Sequence, residues 1–240
     1  MARCIPDPAD RERGFATVLA MTVGLAIGLA ATVLLVRSEL DLAHARRGLE
    51  RVEAEYRLDA VQTITARTVE GETDGLKLHR IDFEDTSASV AVEAERGKLL
   101  PAAAARLPDD WLAALGVAEP AALKARLRLW PKDQPLYMQS LADLDPSPLW
   151  KACAAEVISG HGAPPGVAAA VRKGELVSAG KVQTLRLRAV ADDGWIDDRV
   201  IRLTGDAANP VVVLDRRFYR RLGDEPACPA APDFGNLHET

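Results

Sequence analysis

Residues Phe15 to Val36, FATVLAMTVGLAIGLAATVLLV, contain no charge and no proline. Inside a bilayer every backbone polar group must find its partner within the segment, so an uncharged run of this kind can only be helical there. The run is 22 residues long. At about 1.5 Å per residue it spans about 33 Å, the hydrocarbon thickness of a membrane. Thr17, Thr22 and Thr32 are compatible with lipid because each hydroxyl can bond a carbonyl one turn back. Arg13 and Arg37 bound the run.

The basic residues on its two sides do not settle its direction. Arg3, Arg11 and Arg13 precede it; Arg37, Arg46, Arg47 and Arg51 follow, interleaved with Glu39, Asp41, Glu50 and Glu53. The short N-terminal tail and two downstream cysteines favour an N-terminus inside, with residues 37 to 240 outside. Cys4 precedes the span, and Cys153 and Cys228 follow it. Removal of the N-terminal piece leaves two cysteines, which suits one disulfide in an oxidising compartment; two unrelated thiols is the alternative reading. The net charge of −5, with no long run of one sign, argues against nucleic acid as a partner.

The helix is expected to continue past the membrane. From Arg37 to about Ala66 there is no proline, and Gly48 is the only glycine. Leu42, Ala45, Leu49, Val52, Tyr56, Ala60 and Ile64 recur at steps of three and four, which predicts one apolar stripe laid against a globular domain. A short juxtamembrane coiled coil would show a similar stripe.

A secretory signal has a shorter apolar core and a small-residue cleavage site just after it. Here the Ala43-His44-Ala45 candidate lies beyond a charged stretch. The junction Arg11-Glu12-Arg13-Gly14-Phe15 instead sets a charged leader, Gly and Phe directly against the apolar run. It resembles the prepilin peptidase signature, which implies cleavage after Gly14 and N-methylation of Phe15. An uncleaved signal anchor beginning with Gly-Phe is the alternative. Most type IV pilins and major pseudopilins carry Glu at the fifth mature position; that position is Leu19 here. An acid there would be costly in lipid without a partner, and in the family the partner is the terminal amine of the subunit ahead. Leucine fits a subunit with none ahead, at the filament tip. The minor pseudopilin of type II secretion systems called general secretion pathway protein K typically lacks this Glu.

Later segments are similar to the same family. Ser89-Val90-Ala91-Val92-Glu93-Ala94-Glu95-Arg96-Gly97-Lys98-Leu99 resembles its "V-x-x-E-D-E-x-G-K-I/L" strand and turn. Leu107 to Val117, LPDDWLAALGV, reads as a helix with a Gly cap. Leu136 to Leu144 is similar to the family's "F-x-S-x-x-E-L" helix, and Glu156 to Gly162 followed by Ala163-Pro164-Pro165 resembles "L-T-V-x-S-G-x-x-x-x-N-x-x-x-A-P". The chain departs from the pattern at Leu100-Pro101-Ala102, where the family has Asn-Leu-Asn. The resemblance implies a single-pass inner-membrane protein with a periplasmic bulk, partnered by the I and J minor pseudopilins and processed by prepilin peptidase.

The fold class expected is α+β: a long N-terminal transmembrane helix and a pilin-like antiparallel sheet domain with a small inserted helical subdomain. The divisions are a leader at 1–14, a membrane half of the helix at 15–36 and its periplasmic half at 37–67. The sheet domain takes 68–100 and 160–222, the helical insertion 101–159, and a flexible tail 223–240. Within the sheet domain, Leu76 to Phe83 pairs with Ser89 to Val92, Thr184 to Val190 pairs with Arg199 to Leu203, and Val211 to Leu214 forms a last strand. Prolines 108, 120, 131, 135, 146 and 148 punctuate short helices in the insertion.

No residue set demands catalysis. His44, His79, His161 and His238 are scattered, with no metal-ligand spacing. The segment Gly174 to Val182 mimics a phosphate loop but has five residues between its glycines and Val after its Lys, where Ser or Thr is needed. Asp192, Asp193, Asp197 and Asp198 flank the turn at Gly194-Trp195 and offer either a calcium site or a solvated turn, the second favoured. Trp111, Trp130 and Trp150 read as core. The expectation is an assembly protein without enzymatic activity, cofactor or resident metal. A minor pilin of a type IV pilus and a signal-anchored periplasmic enzyme are the alternatives.

Overall fold

The computed structural model describes residues 8–69, 77–83, 86–131, 134–174, 183–221, 223 and 227–237, with side chains of the N-terminal helix from Val18 onward. Helix α1 runs from Pro8 to Thr68 as one element. The chain divides into two compact units, Met1–Glu53 and Ala54–Thr240. In the first, every described residue belongs to α1, which is long and apolar enough to cross a membrane. Its hydroxyls behave as lipid requires: Thr22 donates to the Leu19 carbonyl at 2.9 Å and Thr32 to the Gly28 carbonyl at 2.8 Å.

The second unit is α+β. Strands β1 (Lys77–Phe83), β2 (Thr86–Ala94), β3 (Gln183–Ala191), β4 (Trp195–Leu203) and β5 (Val211–Arg220) form one antiparallel sheet in sequence order. The β3–β4 hairpin pairs Thr184 with Arg202 and Val190 with Ile196. Its tight turn is closed by Gly194 at φ +85°, a conformation that glycine adopts without cost. Strand β4 therefore starts at Trp195, earlier than its apolar residues indicated. The last strand also outruns its apolar start, Val211 to Leu214, and continues through the charged Asp215-Arg216-Arg217 to Arg220.

Between β2 and β3 the described residues form six short α-helices: α2 (Pro101–Ala104), α3 (Asp109–Ala114), α4 (Pro120–Arg128), α5 (Met138–Ala142), α6 (Pro148–Cys153) and α7 (Pro165–Arg172). Four of them begin with proline at the first turn, where its missing N–H costs nothing. Gly116, at φ +74°, caps α3 as the sequence suggested: its N–H bonds Ala113 and that of Val117 bonds Leu112. The helices share one core with Trp111, Leu112, Leu127, Leu141, Trp150 and Ile158. It reaches α7, past the expected end at 159.

The two faces of the sheet have different covers. Leu185, Leu187, Ala189 and Ile201 face the end of α1 and pack with Leu58 and Val61. The opposite face, carrying Arg186, Asp198 and Val200, meets the helical insertion. This corrects the expected helix face. Within the second unit Ala54, Leu58, Val61, Gln62, Thr65 and Ala66 are buried, whereas Tyr56 and Ile64 are exposed. Side chains one or two positions apart on a helix project to different sides, so the more apolar stripe is not the one that meets the sheet.

The C-terminal segment, expected to be flexible, lies on the helical core. Phe234 is buried, the Arg172 guanidinium sits 4.5 Å from its ring centroid, and the Trp111 indole donates to the Ala230 carbonyl at 3.0 Å. A composition of Pro, Ala and acids conceals this because one aromatic and one cysteine hold the segment.

Candidate functional site

Gly14 and Phe15 fall inside the backbone span of α1, and their side chains lie outside the described residues. Leu19 is exposed on α1. The phosphate-loop mimic lies mostly outside the described residues. Cys153, at the end of α6, and Cys228 form a disulfide with Cα atoms 5.5 Å apart. It fastens the C-terminal segment to the helical insertion.

The segments that carried the family resemblance meet in space. Leu99 pairs in parallel with both Ile158 and Ala163. Leu99 N–H donates to Val157 at 2.8 Å, Ser159 N–H to Leu99 at 3.0 Å, and Ala163 N–H to Lys98 at 2.7 Å. Gly162 permits that approach: a Cβ there would sit 2.5 Å from the Lys98 carbonyl oxygen. Gly160 also lies close to the Leu136 backbone, where a Cβ would come to 2.9 Å. Lys98 Nζ bridges Glu95 at 2.5 Å and Glu93 at 3.0 Å, and Ser159 Oγ donates to the other Glu95 oxygen. Lys98 and Glu95 are both fully buried. Buried charges survive when paired and hydrogen-bonded, so Glu-x-Glu-x-Gly-Lys and Ser-Gly-His-Gly are two halves of one structural knot.

A second ionic system crosses the sheet. Arg186, on β3, donates Nε to Asp198 Oδ1 at 2.7 Å and Nη2 to Asp198 Oδ2 at 2.6 Å, and Nη1 to the Ala155 carbonyl and Glu156. Burial alone would raise the Asp198 carboxyl; the Arg186 guanidinium outweighs it and holds that carboxyl below the ordinary range. Burial likewise opposes charge on Arg186, and Asp198 with Glu156 reverses it, so Arg186 stays protonated. On the other face Asp197 binds Arg199 and Arg216, while Arg199 also reaches Asp59 at 2.7 Å and Arg216 reaches Glu55 at 2.9 Å. Gln62 Nε2 donates to the carbonyls of Leu187 and Asp197 at 3.1 and 2.8 Å. The end of α1 is thus bolted to β3–β5 by polar bonds as well as by Leu58 and Val61.

These contacts revise the reading of the aspartates. Asp192 and Asp193 are exposed at the turn, but Asp197 and Asp198 are fully buried in β4. As neighbours in a strand they point to opposite faces, and each is committed to arginine. The four carboxylates therefore do not converge on one point. Among the described residues no group of three or more metal-ligating side chains comes together. Trp111 and Trp150 are core; Trp130 is half-buried, its indole donating to the Gln134 carbonyl.

Glu95, Lys98, Ser159, His161, Arg186 and Asp215 do converge, around a space of about 10 Å³. That is about one water-sized probe, too small for a substrate. Burial raises the Asp215 carboxyl, against hydrogen bonds from the Met138 and Arg216 N–H groups, and lowers the His161 imidazole, against Glu95. Two larger clefts are open. One, of about 310 Å³, is lined by Gln62, Arg67, Arg199 and Val211; the other, of about 300 Å³, by Leu100, Pro101, Trp130 and Leu136. In the first Arg199 is already paired, and among the described residues the second has no ionisable lining. In the two ionic systems described above, each buried charge is paired with an opposite one. No family model, no curated protein and no solved structure matches the chain.

Proposed function

We propose that this chain is a minor pseudopilin of a type II secretion system, of the K type. It acts at the pseudopilus tip to initiate assembly and so supports protein export across the outer membrane. The observation that carries the reading is the junction Arg13-Gly14-Phe15, placed at the edge of an uncharged run that begins a helix continuing to Thr68. Prepilin peptidase would cut after Gly14 on the cytoplasmic side and the new Phe15 amine would be methylated. The freed helix can then exchange lipid for neighbouring subunits without exposing any backbone group.

Two further features support it. Leu19 places no acid at the fifth mature position, which suits a subunit with none ahead of it. The sheet domain on the end of the helix, with helices inserted between β2 and β3, is the arrangement the resemblance implies. In this reading the protein is a non-enzymatic, single-pass inner-membrane subunit with a periplasmic bulk, and its partners are the I and J minor pseudopilins. N-terminal mass spectrometry of protein purified from native membranes tests it. The expected mature terminus is methylated Phe15, and Gly14→Leu blocks it. A terminus still at Met1 in cells with an active prepilin peptidase, or a cut after Ala45, removes the reading.

A further inference from the structure

A single heptad register runs through α1 from Met21 to Val52. Position a is filled by Met21, Gly28, Leu35, Leu42 and Leu49, and position d by Gly24, Ala31, Ser38, Ala45 and Val52. No charge falls on either position, although Glu39, Asp41, Arg46, Arg47, Glu50 and Arg51 lie between them. Apart from Gly28 at a and Val52 at d, large residues at a alternate with small ones at d, the pattern that lets a knob enter a shallow hole. Within the apolar run Gly24 and Gly28 form a Gly-x-x-x-Gly pair, and nothing lies within 4 Å of a Cβ built on either. Small residues four apart allow helices in lipid to approach closely.

Beyond the apolar run, lipid no longer explains exposed leucines. Leu42, Leu49 and Val52 are exposed on the seam, and Leu40 is exposed off it. We propose that this seam is the docking surface for a second copy of the same chain, parallel and in register. The occupant follows from the flanking charges. In a parallel pair, position g faces position e of the next heptad on the other helix. Asp41 at g then meets Arg46 of the second copy, and symmetry makes that pair twice. Glu39 and Glu53, both at e, face Leu34 and Gly48, so no like charges oppose. The parallel direction follows from α1 crossing a membrane, because both copies then enter it the same way. The proposal rests on that spanning helix and not on processing at Gly14.

Oxidative crosslinking of the full-length chain in native membranes tests it, in a Cys4→Ser background with two differently tagged copies co-expressed. Leu42→Cys and Leu49→Cys, at position a, are expected to join the two tags about tenfold more than His44→Cys at c or Arg47→Cys at f. Asp41→Arg lowers the seam crosslink about threefold, and adding Arg46→Asp restores it. The thermal transition of each variant serves as a folding control. Equal crosslinking on and off the seam overturns the proposal. So do seam adducts formed only with other proteins, or release of the chain from membranes by alkaline carbonate. A methylated Phe15 found alongside any of these would leave the pseudopilin reading standing while the self-association fails.

Discussion

Arg186 on β3 and Asp198 on β4 meet diagonally through two parallel hydrogen bonds, at 2.7 and 2.6 Å, and neither side chain is more than 5% exposed. Such a fork fixes geometry as well as charge. Removing Asp198 leaves the buried guanidinium only the partly exposed Glu156 as a charged partner; breaking a buried pair typically costs about 3–5 kcal/mol. Asp198→Asn should therefore lower stability by that order, measured by thermal or urea unfolding of the detergent-solubilised full chain at pH 7. The paired replacement Arg186→Met with Asp198→Leu should recover most of the loss. Because the folded-state pKa of Asp198 is depressed, its contribution is complete above the unfolded value near 3.9. It disappears as pH falls through the folded value, so the wild type should lose stability in acid more steeply than Asp198→Asn.

Asp215 has the opposite sign. It accepts the Met138 N–H at 2.5 Å, yet burial raises its carboxyl. A carboxyl raised on folding destabilises the native state when ionised, and that penalty is relieved as pH falls through the folded value. Asp215→Asn keeps an acceptor for Met138 without the charge. The expected result at pH 7 is unchanged or slightly higher stability. The gain should vanish below about pH 4, where the unfolded carboxyl is also protonated. A loss as large as that of Asp198→Asn would show that the charge is needed.

Gly162 and Gly166 sit four residues apart and predict opposite outcomes. A Cβ at Gly162 meets the Lys98 carbonyl oxygen at 2.5 Å and the Leu99 carbonyl carbon at 2.7 Å, both backbone atoms in a paired segment. Gly162→Ala should push the two halves of the knot apart and cost about 2 kcal/mol or more. Gly166 lies in α7 with open space around it, and Gly166→Ala should gain about 0.5–1 kcal/mol from helix propensity and unfolded-state entropy. Denaturant midpoints of the two variants decide this.

The long N-terminal helix, the existence of the strands, the proline-led helices and the Gly116 cap were legible because each rests on a local rule. The knot was visible only as two motifs, since nothing local says that Lys98 and Ser159 share Glu95. The sheet's charged face was misleading. Arg186 alternates with Leu185 and Leu187, which reads as a solvent face, but the insertion covers it and Asp198 neutralises it. Phe234 was hidden in a segment whose composition says loose chain. Each miss is a long-range pairing that offsets a local preference, and periodicity carries no information about such pairings.

The same lesson yields the sharpest comparison along α1. Leu58 is 1% exposed and packs with the sheet, while Tyr56, two residues away on the stripe the sequence favoured, is 77% exposed. Hydrophobicity alone ranks Tyr56, Val52 and Leu49 with Leu58 as contact residues. Burial separates them, because truncation costs free energy only where atoms leave a packed environment. Leu58→Ala should lose about 2–5 kcal/mol through lost transfer energy and a residual cavity. Tyr56→Ala should change domain stability by less than about 0.5 kcal/mol. Urea unfolding of both variants, followed by far-ultraviolet circular dichroism, measures the difference. Equal losses would mean that the sheet rests on the other face of the helix.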